Sequence, residues 1–176
     1  MAGSLTEKEV RTILGRYPDY AKIRVFVETG TLTGMTISRM RALFTVCHTI
    51  ELSKYYYLRS RIKYFFSGIH FHLGDSVKVL ARLAPKIKEP AVFFLDAHWS
   101  SGKTARGAKD CPLLEEMRIL SKRPYSDLII VDDARLFGTN EGEDWSQITQ
   151  SAIMESFGKS CRKVEVDNDR LILAAR

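Results

Sequence analysis

Apolar residues in this chain gather into short runs that end on or just before carboxylates. Val25-Phe26-Val27 stops at Glu28, Val46–Glu51 closes on its own acid, Ile69–Leu73 meets Gly74-Asp75, Ala91–Asp96 is apolar until its last residue, and Leu128–Asp132 repeats the form. Runs of this length, rich in β-branched and aromatic residues and without polar alternation, predict strands covered on both faces, as in a parallel sheet. Helical spacing fills the intervals. A short helix is expected within residues 5–20, with Val10, Ile13 and Leu14 toward the core and an end before Pro18; a second over 33–44 places Ile37, Met40 and Phe44 on one face. Ser53 can cap a third, in which Leu58, Ile62 and Phe65 recur at i, i+4 and i+7 as an amphipathic stripe. Gly74-Asp75-Ser76 opens a fourth with Val77, Leu80 and Ala84 inward, Pro112 suits the first position of a fifth carrying Leu113, Met117 and Leu120, and Trp145, Ile148 and Ala152 suggest a last one ending near Gly158. Lys163–Asp167 and Arg170–Ala174, split by Asn168-Asp169, form an antiparallel hairpin. Strand–helix alternation closed by a hairpin predicts one α/β domain over residues 1–176, with 1–24 as an N-terminal helical extension.

Composition narrows the class. The 176 residues are 45% hydrophobic and 27% charged, the balance of a soluble globular domain. No apolar run is long enough to span a bilayer and the N-terminal stretch lacks a signal peptide's apolar core, so a cytoplasmic location without a membrane partner is expected. Three cysteines, Cys47, Cys111 and Cys161, without CxxC spacing argue for reduced thiols. The net charge of +6 is scattered, densest over Lys54–Lys63 and Lys103–Lys109, so a nucleic-acid partner is an open but disfavoured reading. Oligomeric state is not legible; a homodimer stays open.

Candidate chemistry lies at the strand ends, where parallel α/β sheets bind ligands. Glu28, Glu51, Asp75, Asp96, Asp132 and Asp133 gather there. One terminal carboxylate is ordinary helix capping, whereas five strands ending this way suggests a ligand. Val25–Gly34 has the form of a strand–loop–helix cradle, with Gly30 and Gly34 free to turn sharply and approach a bound molecule.

These residues resemble the motifs of the class I S-adenosylmethionine-dependent methyltransferases. Glu28-Thr29-Gly30-Thr31-Leu32-Thr33-Gly34 is similar to that family's first motif, Glu51 with Leu52 to its ribose-binding position, Gly74-Asp75-Ser76 to its third motif, Asp96 to the residue beside the methyl group, and the terminal hairpin to its reversed seventh strand. The resemblance implies a three-layer, Rossmann-like sandwich around a mostly parallel seven-stranded sheet. It also implies S-adenosylmethionine as cofactor, held by Glu28, Thr29, Gly30, Thr31, Gly34, Glu51, Leu52, Gly74, Asp75, Ser76 and Asp96. Physical chemistry agrees: one carboxylate can accept both vicinal ribose hydroxyls, Gly30-x-x-x-Gly34 is not the dinucleotide spacing, and a sulfonium suits a carboxylate rim better than a pyrophosphate does.

Phe93–Trp99 and Ile129–Ala134 further resemble the two metal-binding segments of magnesium-dependent, catechol-type O-methyltransferases. That likeness implies Asp96, Asp132 and Asp133 as Mg²⁺ ligands that hold an acceptor hydroxyl. Asp133 stands where the family has an amide, Ala97 adds a residue before His98-Trp99, and Ser100 stands where it has a catalytic lysine. His98 or Lys103 would then supply the base beside Asp96, giving a catalytic set of Asp96, His98 and Lys103. The competing reading makes the carboxylates loop caps and ion-pair partners. His70 and His72 are expected to face opposite sides, one in the core and one toward a helix, and the loop Ala97–Asp110 to form a lid. The expected function is methyl transfer to an oxygen, less readily a nitrogen, of a small-molecule acceptor. RNA methylation and non-catalytic nucleoside binding on the same fold are the alternatives.

Overall fold

A computed structural model describes residues 4–97, 111–140, 144–158 and 161–176. In them β1 (Val25–Thr29), β2 (Val46–Glu51), β3 (His70–Leu73), β4 (Ala91–Leu95), β5 (Leu128–Val131), β6 (Cys161–Asp167) and β7 (Arg170–Ala175) form one sheet in the order β3-β2-β1-β4-β5-β7-β6. Pairing is parallel from β3 through β5, and β7 runs antiparallel to both β5 and β6. This is the expected α/β architecture. The apolar runs occupy the centre because both faces are covered: every residue of β1, β4, β5 and β7 is buried, whereas the edge strands β3 and β6 are not. Asn168 and Asp169 turn the hairpin with φ of 46° and 67°, the two left-handed positions of a tight turn matched to strand twist.

Helices α1 (Glu7–Arg16), α2 (Met35–Met40), α3 (Lys54–Lys63), α4 (Ser76–Leu83), α5 (Leu113–Leu120) and α6 (Gln150–Phe157) flank the sheet. One apolar core lies between the sheet and α4, α5 and α6, through Phe93, Leu80, Met117 and Phe157; the other holds Leu5, Val10, Ile13, Ile37 and Met40 against Phe26, Phe94 and Ile130. The N-terminal extension is thus part of the second core. Thr6 and Glu9 close a capping box on α1, and the Tyr20 hydroxyl donates to the Ala175 carbonyl at 2.5 Å.

Several expectations change. Residue 34 is left-handed (φ 73°) and α2 is confined to Met35–Met40, although Phe44 remains buried. In α4 the inward set is Val79, Leu80 and Leu83, and Val77 is only half-buried. Trp145 and Ile148 are buried ahead of α6. His70 and His72 lie two residues apart in a strand and so share a face. Both meet His48, whose ring stacks on His70 and whose Nδ1 lies 3.1 Å from Nε2 of His72.

The largest change concerns α3. Its apolar stripe faces solvent: Leu58 is 44%, Ile62 74% and Phe65 68% exposed. Ser60 takes the inward position and donates to the Leu32 carbonyl, while Tyr64 lies where a side chain at Gly34 would otherwise extend. β3, beside α3, is short and partly exposed throughout, so this margin of the sheet offers no deep apolar surface to cover.

Beneath the sheet, Arg123 and Asp127 form a buried ion pair, Nε to Oδ2 at 2.8 Å. The guanidinium also donates to the carbonyls of Ala84, Ile87 and Glu89, and Asp127 Oδ1 accepts the Ala91 N–H at 2.9 Å. This joins the starts of β4 and β5 to the ends of α4 and α5.

Candidate active site

Parallel pairing in register carries the ends of β1, β2, β4 and β5 to one edge, and the expected carboxylates arrive there. Backbone bonds lock the tips together: Gly30 N–H donates to the Ile50 carbonyl, Asp96 N–H to Thr29, Asp132 N–H to Leu95, and Gly74 N–H to Glu51. The need for glycine at position 30 is local. Its φ is 87°, and a Cβ there would sit 2.3 Å from the Asp96 carbonyl oxygen. The close approach the sequence suggests is first an approach of two strand ends to each other.

Glu28 is buried, and Thr49 Oγ1 donates to its Oε2 at 2.6 Å, with Thr31 Oγ1 a further 2.6 Å from Thr49. Loss of water pushes the Glu28 carboxyl up to about 8, against the opposing hydrogen bond from Thr49, and nearby Glu51 adds to the rise. Glu51 closes β2 and is fixed by two backbone donors, Leu32 N–H to Oε2 and Ser53 N–H to Oε1, both at 2.7 Å. Each oxygen keeps a second lone pair, so the carboxylate is oriented and still able to accept. Leu52 is half-buried beside it. Gly74 has φ 142°, Asp75 caps α4 by accepting the Lys78 N–H at 3.1 Å, and Ser76 is buried.

Asp96 lies beyond β4, its carboxyl raised well above the usual carboxylate range by burial and then by Asp132, Asp133 and Glu28; Arg170 opposes the rise. Burial also lifts Asp132, to about 6, against Arg170. Arg170 Nε lies 3.3 Å from Asp132 Oδ1, and its Nη1 pairs with Glu9 of α1. Asp133 sits at φ 57° and pairs with Arg135 at 2.5 Å, which also pairs with Asp169. Among the described residues no group of three His, Cys, Asp or Glu side chains is placed to hold a metal. As arranged, Asp132 faces Arg170 and Asp133 faces Arg135, so two of the three expected magnesium ligands already have guanidinium partners. His98 and Lys103, and most of the expected lid, lie outside the described residues.

Two buried residues at this edge escaped the sequence pattern. Arg170 opens an otherwise apolar strand; β5 and β7 pair antiparallel with Val131 opposite Leu171, which brings Arg170 alongside Asp132. Glu116 lies on the buried stripe of α5 with Leu113, Met117 and Leu120. An acid at i+3 of an apolar stripe is the signal that could have found it. Among the described residues its Oε1 has no hydrogen-bond partner, and burial pushes the carboxyl up to about 7, against hydrogen bonds from Ser76 and Thr29. Glu116, Asp96, Asp132 and Trp145 line a cavity of about 10 Å³, room for about one water.

No protein-family model matches the chain, and no curated protein does. Among solved structures it is similar to the O-methyltransferase from Bacillus cereus in complex with SAH, with a TM-score of 0.65 and 16% identity, covering 99% of this chain and 83% of that one. It is also similar to the O-methyltransferase TomG from Streptomyces achromogenes, involved in tomaymycin synthesis and solved with SAM (TM-score 0.60, 18% identity, 97% and 81% covered). A third likeness is to the fibrillarin pre-rRNA processing protein of Methanococcus jannaschii (TM-score 0.57, 16% identity, 88% and 66% covered). At such identities the likeness is one of fold: this chain has the Rossmann-like methyltransferase fold.

Proposed function

We propose that this chain is an S-adenosylmethionine-dependent methyltransferase acting on an oxygen of a small-molecule acceptor. The observation that carries this reading is the buried, protonation-prone Glu28 near the end of β1, two residues before the Gly30 contact and across from the fixed carboxylate of Glu51. A buried acid with a raised pKa favours the arrival of a cation, and the donor carries both an ammonium and a sulfonium. Glu51 has the oriented acceptors a vicinal diol needs. That proteins of this fold were solved with SAM and SAH supports the same reading. The cluster of Thr29, Gly30, Thr31 and Gly34 would hold the amino-acid end, and Gly74, Asp75 and Ser76 the base.

The donor, when bound, supplies a methyl group on a sulfonium that is already a good leaving group, so alignment within about 3 Å provides most of the acceleration. Asp96, just beyond β4, would take the acceptor hydroxyl's proton as the new carbon–oxygen bond forms and the carbon–sulfur bond breaks. Its raised pKa makes it a strong base only once ionised, and a cation nearby favours that ionised form. Arg170 balances Asp132 and relieves part of the repulsion among the carboxylates at this edge.

Titration calorimetry with S-adenosylmethionine and its demethylated product tests the assignment: heat with both, lost in Glu51→Ala, is the expected result. Silence with both ligands would remove it. Tritium transfer from labelled donor into a pool of small hydroxylated acceptors separates an enzyme from a nucleoside-binding protein. RNA as the acceptor draws on the +6 charge and the fibrillarin likeness; it requires transfer to RNA with steep salt dependence.

A further inference from the structure

The solvent-facing stripe of α3 and the turn after it has a chemistry of its own. Tyr55 (65% exposed), Leu58 and Ile62 run along the outer line of the helix, opposite the inward Ser60, and Phe66 (97% exposed) follows in the turn after it. Lys54 and Arg61 flank that line on one side, Arg59 and Lys63 on the other, all exposed. Arg41 adds a further cation at the tip, its guanidinium lying beside Gly68. No Asp or Glu occurs between Leu52 and Gly74. Leu32 and Met35, 41% and 45% exposed, are further exposed apolar side chains, on the loop after β1 and at the start of α2. Large apolar side chains at this spacing on one helix face and the turn after it mark an interaction surface rather than scattered exposed side chains.

We propose that α3 and its following turn dock the protein on an anionic phospholipid bilayer, lying in the interface without crossing it. No helix of the described residues is long and apolar enough to span a membrane, but a short helix with aromatic and aliphatic residues along one line and cations on its flanks suits the headgroup boundary. Charge selects this occupant. A second copy across a two-fold axis would set the same cations against each other. RNA would match the charge but not the centre of the patch: Leu58 and Ile62 offer no ring to stack on, and Phe65 and Phe66 pack edge to face at 5.0 Å. Anionic headgroups neutralise the flanks while the acyl boundary covers the apolar line. Ser60, on the opposite side of α3, bonds the Leu32 carbonyl, so the helix that docks is tied through its inner face to the loop of the candidate donor cradle. The docking does not depend on methyl transfer.

Co-sedimentation with vesicles tests it. The protein is expected to sediment with mixed phosphatidylcholine–phosphatidylglycerol vesicles and not with phosphatidylcholine alone, with binding weakened by salt. Phe66→Trp should show a blue-shifted emission on the mixed vesicles. Lys54→Gln and Arg59→Gln should each weaken binding roughly fivefold, and Ile62→Ser with Phe66→Ser should abolish it without lowering the melting temperature. Failure to sediment at low salt, or a Phe66→Trp emission indifferent to vesicles, overturns the proposal. So does a surface that shifts with single-stranded RNA alone, or a wild-type dimer that Ile62→Ser with Phe66→Ser makes monomeric while vesicles stay unbound.

Discussion

The two ends of the sheet bury charge to opposite effect. At the amino-terminal end, Arg123 and Asp127 are enclosed together; Arg123 donates to three carbonyls and Asp127 accepts a backbone N–H. At the carboxyl end, Glu28, Asp96, Asp132 and Glu116 are crowded into a small region with their carboxyls raised, and Arg170 and Arg135 offset only part of the negative charge. Burial alone therefore does not distinguish framework from site. The balance of charge does: a matched pair holds elements together, whereas an excess of one sign is stable in the folded protein chiefly when protonated or when a cation arrives.

This contrast can be broken experimentally from either end. The largest effect is expected from Arg123→Ala, which strands Asp127 and should cost about 3–5 kcal/mol in urea unfolding. Gly30→Ala comes next: the left-handed backbone and the clash with the Asp96 carbonyl should cost roughly 1–3 kcal/mol and abolish donor binding seen by calorimetry. At the carboxyl end the signature is pH. Glu28, Glu116 and Asp132 have folded pKa values above their unfolded ones, so their stability is complete at low pH and is lost as pH rises through about 6 to 8. His48, lowered to about 4 by burial and its histidine neighbours, acts oppositely and below that range, its contribution being lost as pH falls. Between pH 6.5 and 8 thermal unfolding should thus show falling stability, and Glu28→Gln should remove about 1–2 kcal/mol of that fall while weakening the donor. Donor affinity in the wild type should rise over the same interval, because binding releases the proton that Glu28 holds. Smallest of all, Ile62→Ser should change stability by less than about 0.5 kcal/mol, since its side chain leaves little water on folding.

The strands were legible because a residue covered on both faces leaves an unbroken apolar run, and the Asn168-Asp169 pair announced its own turn. What the pattern could not give was direction. Leu58, Ile62 and Phe65 have helical spacing whether they meet a core or solvent, and only the short, half-exposed β3 beside them decides. In the site, Glu28, Glu51 and Asp96 could be found by position, since parallel register carries strand ends to one edge. Arg170 could not, because its proximity to Asp132 exists only once β7 pairs with β5. The carboxylates also do the work foreseen by the competing reading: Asp75 caps a helix, and Asp132 and Asp133 have arginine partners.

The sheet order carries a consequence for biosynthesis. β7 lies between β5 and β6 although it follows both in the chain, so as residues emerge from a ribosome β5 has an open flank and β6 no neighbour until Arg170–Ala175 has been made. The same late segment carries the guanidinium that quiets Asp132 and the carbonyl that receives Tyr20. Completion of this sheet therefore waits for β7, and a chain cut before Arg170 would leave β5 with an unpaired, wholly apolar strand edge, ready to recruit another like it.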